Sequence, residues 1–364
     1  MEMLIITMAS WLGFNNGAND NFKGFATTWG SGTLTYRQAI LLATVATVAG
    51  SLTSILLAGT LLHAFSGAGL VADNLITAPS FILSVATGAA ITIFIATRWG
   101  LPVSTTHALL GALMGAGLTQ GMQGVHAHQL LHSFVAPLLF SPVVAAMLSW
   151  VIVRRSVTSL PAQDCICVQT NNPCSVTPEG NLSLKQTLPT VSLVIDTQTH
   201  CAREQYPLQL SHPAMMDRLH VGSALAICYA RGVNDTPKLA ALLVAGKLLS
   251  VPMATVMIGV LMGLGGLIMA RRVAETMSLR VSQMQPSQGL KANLVTAGLV
   301  LFASKWGLPV STTHVAVGSI AGAGAGSGSL NRTTLRNILL SWVATLPLAA
   351  LLTASMITSL QHIG

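Results

Sequence analysis

The nine residues WGLPVSTTH occupy Trp99–His107 and recur unchanged at Trp306–His314. Each copy closes on Ser-Thr-Thr-His, and each lies among the most apolar stretches of the chain. The proline suits the approach to a helix start, and serine and threonine favour the N-cap position, so the string predicts a helix beginning inside it. A helix start exposes unpaired N–H groups and a partial positive charge, which suits an anion. Three consecutive hydroxyls would add donors without fixed charge. Capping of a re-entrant helix would explain one copy; two identical copies favour contact with a substrate.

The composition says where such strings must reside. Of 364 residues, 52% are hydrophobic and 8% charged, and the mean hydropathy is +0.66. A soluble domain carries about 25% charged residues. Apolar runs recur at Gln38–Phe65, Thr77–Thr97, Leu130–Val153, Val251–Ala270 and Asn337–Leu360. Each is long enough to cross a hydrocarbon core of about 30 Å as a helix. The expected fold is therefore an all-α polytopic membrane protein, and its 33 glycines suit close helix packing in lipid. The net charge of +8 reads as basic cytoplasmic loops, with no nucleic-acid partner. Met1–Trp11 lacks the basic start of a cleavable signal. No GxxxxGK[ST] string is present, which argues against ATP-driven transport within this chain.

One long hydrophilic segment, 154–217, divides a membrane repeat at 1–153 from a second at 218–364. Asn19-Asp20-x-x-Lys23 in GANDNFKGFA answers to Asn234-Asp235-x-x-Lys238 in GVNDTPKLAA, 215 residues later, and the two WGLPVSTTH strings stand 207 apart. Two motifs in the same order at nearly the same offset define an internal repeat. Five segments per half are expected: an interrupted helix, two plain helices, a segment opening with the STTH string, and a final helix. With both termini outside, Arg37, Arg98, Arg154, Arg155, Arg271, Arg272, Arg280, Lys291, Arg332 and Arg336 face the cytoplasm with the central loop; only Lys247 and Lys305 do not. That is the positive-inside pattern of a multi-pass inner (plasma) membrane protein. Five is odd, so the halves would be inverted-topology repeats with broken or re-entrant helices, the plan of secondary transporters.

Asp20 and Asp235 need a reason to be in the membrane, where a carboxylate costs about 2.5–3.5 kcal/mol on insertion scales. Gly17, Gly232 and Pro237 are expected to weaken the helix beside them and expose backbone. An Asp–Lys pair at i, i+3 could be a self-neutralising strut; its duplication favours a central ion-binding site. His107 and His314 could donate to an oxyanion or carry a proton, or be buried histidines bonded to carbonyls. Ser104 and His107 do not make a hydrolase: no acidic orienter is near and no GxSxG elbow exists, so no enzyme is expected. Cys228 reads as a small core residue. Cys165, Cys167, Cys174 and Cys201 fall in the loop without the CxxC pairs of a zinc site, so no metal or cofactor is expected. TVSLVID, 190–196, reads as a short strand there.

Carrying both duplicated motifs, the chain resembles the inorganic phosphate transporter (PiT) family along nearly its whole length. The resemblance implies a cation-coupled permease working by alternating access, commonly a homodimer. Inorganic phosphate would be its substrate, with sulfate or a related tetrahedral oxyanion as the alternative. It also implies that Asn19, Asp20, Asn234 and Asp235 serve ion coupling and that Ser104, Thr105, Thr106, Ser311, Thr312 and Thr313 hold the anion. The family signature continues G-A-N-D-x-x-N, whereas this chain has Lys23 and Lys238 at the final position. An asparagine carbonyl can ligate sodium; an ammonium repels it. The two lysines are therefore expected to attract the anion themselves, which disfavours sodium as the coupling ion and leaves coupling to protons or no coupling.

Overall fold

The structure is a computed structural model and describes residues 1–57, 59–67, 69–71, 73–155, 164–171, 190–197 and 208–363. Contacts divide the chain into two units, Met1–Arg155 with His220–Gly364, and Ser156–Leu219.

The first unit is helical. Its first half runs α1 (Glu2–Asp20), α2 (Ala26–Gly30), α3 (Tyr36–Leu57), the short α4 (Gly59–Phe65) and α5 (Asp73–Ile76), α6 (Pro79–Arg98), α7 (Thr105–Leu118), α8 (Ala127–Gln129) and α9 (Ala136–Arg155). The second half runs α10 (His212–Ala245), α11 (Val251–Met269), α12 (Arg271–Glu275), α13 (Pro286–Lys305), α14 (Thr312–Ser327) and α15 (Arg332–Ile363). The order of long elements is the same in both halves, with α6 answering to α13 and α7 to α14. Five helical stretches, 36–57, 79–98, 127–155, 251–269 and 332–361, are long and apolar enough to cross a membrane; 79–98 is largely buried, and the other four expose leucine and valine. The protein is a membrane protein, and this unit of it has an all-α fold.

The repeated string folds the same way twice. Trp99 ends α6, Gly100 turns the chain at φ 69°, and Leu101 N–H closes back on Ala96 O at 2.9 Å; Trp306, Gly307 at φ 68° and Leu308 on Ala303 O at 2.9 Å repeat the motif. This is the left-handed helix stop that glycine alone enters without strain. Leu-Pro-Val then runs inward from an exposed tryptophan to a buried serine. Ser104 and Ser311 cap the next helix, each hydroxyl accepting from the N–H of the histidine three residues on, at 3.1 and 3.2 Å. WGL stops one helix and STTH starts the next.

Glycines let the halves interlock. A Cβ on Gly111 or Gly115 of α7 would lie 2.3 or 2.2 Å from a backbone oxygen of α15; one on Gly318 or Gly322 of α14 would lie 2.4 or 2.1 Å from a backbone oxygen of α9. Both pairs are Gly-x-x-x-Gly, and each holds a helix of one half against a helix of the other. Gly17 and Gly232 do the same for α1 against α11 and α10 against α3, with a Cβ 1.9 Å from Met262 O and 2.3 Å from Thr47 O. This differs from the expected helix weakening. α1 runs unbroken through Gly17 and stops only after Asp20, while α10 passes through Gly232 and Pro237 without a break. The glycines permit close approach of neighbouring backbones, so only the first half has the interrupted helix.

In the second unit, β1 (Asp164–Asn171) pairs antiparallel with β2 (Thr190–Thr197) on one edge and β3 (Leu208–Ser211) on the other, with Cys165 opposite Asp196 and Ser211. β2 contains the TVSLVID string. Cys174 and Cys201 lie outside the described residues, among which no group of three or more His, Cys, Asp or Glu could hold a metal.

A crossed ion-pair centre as candidate functional site

The twelve residues singled out by the two motifs converge on one buried centre. In each half the Asn-Asp element brings its carboxylate to the start of that half's STTH helix. Thr105 Oγ1 donates to Asp20 Oδ2 at 3.3 Å, and Thr312 Oγ1 donates to Asp235 Oδ2 at the same distance. The asparagines fasten the string that approaches the helix. Asn19 donates to Thr97 Oγ1 at 2.9 Å and Leu101 O at 3.0 Å, and accepts from Val103 N–H at 3.1 Å. Asn234 donates to Val310 O at 3.3 Å and accepts from Ser304 Oγ at 3.1 Å.

The lysines cross from one half to the other. Lys23 is ion-paired with Asp20, and its ammonium also donates to Thr313 Oγ1 at 2.6 Å and Val103 O at 3.1 Å. Lys238 lies 3.4 Å from Asp235 Oδ1 and donates to Thr106 Oγ1 at 3.0 Å and Val310 O at 2.8 Å. Thr313 in turn donates to Val103 O at 2.9 Å and Thr106 to Val310 O at 3.4 Å. Each STTH helix is thus held by the lysine of the opposite half. All four charged side chains are at least 96% buried, so an unpaired member would carry a large desolvation cost.

Beside this centre the two histidine rings meet edge to face, with centroids 4.4 Å apart, and His314 stacks on Trp342 at 3.7 Å. Their Nδ1 atoms face the carbonyls of Trp342 and Leu138, both at 3.4 Å, and Trp342 Nε1 donates to Pro102 O at 3.0 Å. The histidines therefore join the two helix starts and touch carbonyls of α15 and α9.

Arg231 is the participant that motif reading passes over. It is 2% exposed, and its guanidinium donates to Asn16 through both the backbone oxygen and the side-chain oxygen, to Asn21 Oδ1 at 3.0 Å and to Thr47 Oγ1 at 3.3 Å, with Nε 3.5 Å from Asp235 Oδ2. At the repeat offset its counterpart is Asn16, which donates to Asp20 at 3.3 Å and to Thr105 at 2.8 Å. A signal for it exists in the sequence: a full charge four residues before Asp235 in an otherwise apolar run. Two carboxylates then face three cations, and one positive charge is left over in a site shielded from water. Such a centre favours an anion.

Residues 16–353 match the family model described as the phosphate transporter family, and the chain belongs to that family. A protein of Pyrococcus horikoshii that carries the provisional name of phosphate permease is 27% identical over 96% of this chain and 95% of its own length. The inorganic phosphate transporter 2-1, chloroplastic, of Arabidopsis thaliana is 27% identical over 94% of this chain and 69% of its own. Among solved structures, one titled the sodium-dependent phosphate transporter superposes with a TM-score of 0.78 at 24% identity, covering all of this chain and 99% of that one, and so shares its fold.

Proposed function

We propose that this chain is a secondary active permease that carries inorganic phosphate across the inner (plasma) membrane by alternating access, as a homodimer of inverted repeats. Its termini lie outside and its central loop in the cytoplasm, the orientation supported by the distribution of lysine and arginine. The observation that carries the reading is the crossed arrangement Lys23–Thr313 and Lys238–Thr106. An anion arriving between the two helix starts replaces the threonine hydroxyls as partner of both ammonium groups. The threonines, released from the lysines, then turn their own protons to the ligand. The binding group is Lys23, Lys238, Thr105, Thr106, Thr312 and Thr313; Ser104 and Ser311 keep the helix starts formed, and Asn19 and Asn234 keep the strings in place. Asp20 and Asp235 are the coupling groups. They balance the lysines, and a carboxylate can receive the proton of dihydrogen phosphate, which sulfate at neutral pH does not have. That preference selects phosphate over sulfate.

The coupling cation follows from the same geometry. An ammonium is bonded to each aspartate of the centre. A sodium ion there would sit about 4 Å from a fixed positive charge, a repulsion of about 4 kcal/mol at an effective dielectric of 20. The lysines therefore serve as built-in cations, and protons provide the coupling. The test is uptake of labelled phosphate into proteoliposomes against excess arsenate, sulfate or molybdate, with sodium replaced by choline in half of the samples. Arsenate competing while sulfate does not, with flux indifferent to sodium and driven by an inward proton gradient, is the expected result. Equal competition by sulfate, or the absence of flux, overturns the reading.

A further inference from the structure

The two halves agree closely at the centre and disagree next to it. At the repeat offsets, Thr27, His220, Ser223 and Asn293 answer to Leu242, Ile5, Met8 and Ala86. The second set is apolar. Ile5, Ala86 and Leu242 are buried in one hydrophobic cluster, and Met8 packs against it. The first set is equally buried but polar throughout. Thr27 Oγ1 donates to Asn293 Oδ1 at 3.0 Å, Asn293 Nδ2 donates to Ser223 Oγ at 3.2 Å, and His220 Nε2 lies 2.8 Å from Thr27 Oγ1.

Because apolar side chains fill the equivalent positions of the sister half, the fold does not demand the polar ones. The network is also incomplete. Thr27 spends its proton on Asn293, so its oxygen receives the Nε2–H of His220, which leaves His220 Nδ1 as a buried lone-pair acceptor with no partner among the described residues. Such an atom calls for a donor, either water or the hydroxyl of a protonated phosphate.

Its position links the centre to a cavity. Thr27 follows Lys23 by one helical turn and precedes Gly30, which with Ser31, Ser278, Gln285 and Gln288 lines a cavity of about 560 Å³. Asn293 stands on α13 five residues beyond Gln288. The hydroxyls of Ser31 and Ser278 and the amides of Gln285 and Gln288 are neutral, so they can hydrate an anion without trapping it.

We propose that Thr27, His220, Ser223 and Asn293 line the passage by which phosphate, with its water, moves between the central site and the cavity at Gly30. In this state the opposite route is sealed by Ile5, Met8, Ala86 and Leu242. The inference rests on the permease reading above, and the test separates the two. In a background whose five cysteines are replaced by serine and whose uptake matches the native chain, Thr27→Cys reacts with a membrane-impermeant thiol reagent and saturating phosphate slows the reaction, while Leu242→Cys at the sister position reacts at least tenfold more slowly. In the native background, Asn293→Ala and Thr27→Val each lower maximal phosphate uptake at least fivefold, while phosphate binding by the detergent-purified protein stays within twofold of native. Equal labelling of the two cysteines, or unchanged uptake in both variants, overturns the passage. Loss of binding together with uptake assigns the cluster to the architecture of the centre and overturns it too. Absence of uptake by the native chain is instead the failure of the permease reading, and the labelling comparison still decides the passage.

Discussion

Replacing both lysines of the centre by asparagine tests the reading at its most specific point. Lys238 Nζ lies 3.4 Å from Asp235 Oδ1, a distance at which two unit charges attract by about 5 kcal/mol at an effective dielectric of 20. Most of that is returned as desolvation. What an anion loses with one lysine is a charged hydrogen bond, about 1.5–3 kcal/mol, or roughly 10- to 150-fold in affinity. Lys238→Asn removes the excess positive charge of the centre, and the Lys23→Asn/Lys238→Asn double variant turns it into a deficit. The double variant then has two carboxylates against the single guanidinium of Arg231, with Asp20 left uncompensated and a new amide oxygen beside each carboxylate, which is a ligand set for a hard monovalent cation. The assay is uptake of labelled phosphate by proteoliposomes at fixed pH and ionic strength, with sodium exchanged for choline. Flux through the native chain stays flat across the series. The double variant is nearly silent in choline and recovers as sodium rises, with the apparent KM for phosphate falling in parallel. A native chain whose flux climbs steeply with sodium, or a double variant indifferent to both changes, refutes the role given to the lysines.

Five other substitutions probe the centre and the frame around it. Arg231→Met removes the partner of Asn16, Asn21, Thr47 and Asp235 at once and leaves Asp235 with one cation fewer; breaking a buried pair in this way costs about 3–5 kcal/mol, so the detergent-solubilised protein should unfold at a clearly lower temperature, and an unchanged Tm would show the arginine to be dispensable. Gly17→Ala places a methyl group 1.9 Å from Met262 O and must push α1 off α11, an overpacking cost of about 1–3 kcal/mol, whereas Gly222→Ala, with open space around it, should be neutral or slightly stabilising; size-exclusion profiles of the two after mild heating separate them. Thr106→Val and Thr313→Val each delete a hydroxyl bonded to the lysine of the opposite half, so both should weaken phosphate binding by a similar factor, about tenfold; a large effect from one and none from the other would break the equivalence of the halves.

How much of this is legible in the sequence depends on whether a residue acts through its neighbours in the chain or across the fold. The membrane helices are legible because an apolar run of about 20 residues has few other outcomes, and 79–98 and 251–269 nearly coincide with runs visible in the composition. The STTH helix starts are legible because proline and a capping serine are local signals, and both caps form. The glycines mislead. Within their own helices Gly17 and Gly232 look like weak points, but their use is against Met262 and Thr47, which no local signal reveals. The crossing of Lys23 to Thr313 is equally hidden, since sequence spacing ties each lysine only to the aspartate three residues before it. Arg231 is visible as a charge in an apolar run, but its role is not: only the fold brings it to Asn16, its counterpart at the repeat offset, where the halves touch.

The departures from repeat symmetry bear on how such a protein can work at all. On the permease reading, a centre built from two copies of one motif presents nearly the same lysine–threonine–aspartate set to each side of the membrane, so it has no preference of its own for release in either direction. Direction must come from what surrounds it. Arg231 against Asn16 makes the two aspartates unequal, since Asp235 has a guanidinium 3.5 Å away and Asp20 has an amide at 3.3 Å. The polar set at Thr27 and His220, against the apolar set at Leu242 and Ile5, makes the two routes unequal as well. A dry apolar seal opens by exposing hydrocarbon to water, while a hydrogen-bonded cluster can exchange its internal partners for water at little net cost. On the proposed passage, the barrier on the Thr27 side is therefore the lower one in this conformation. For substrate to leave by the other side, the helices carrying Ile5, Leu242 and Ala86 must separate, and the Gly17–Met262 and Gly232–Thr47 contacts, tight and free of side chains, are surfaces along which α1 and α10 can slide as rigid bodies.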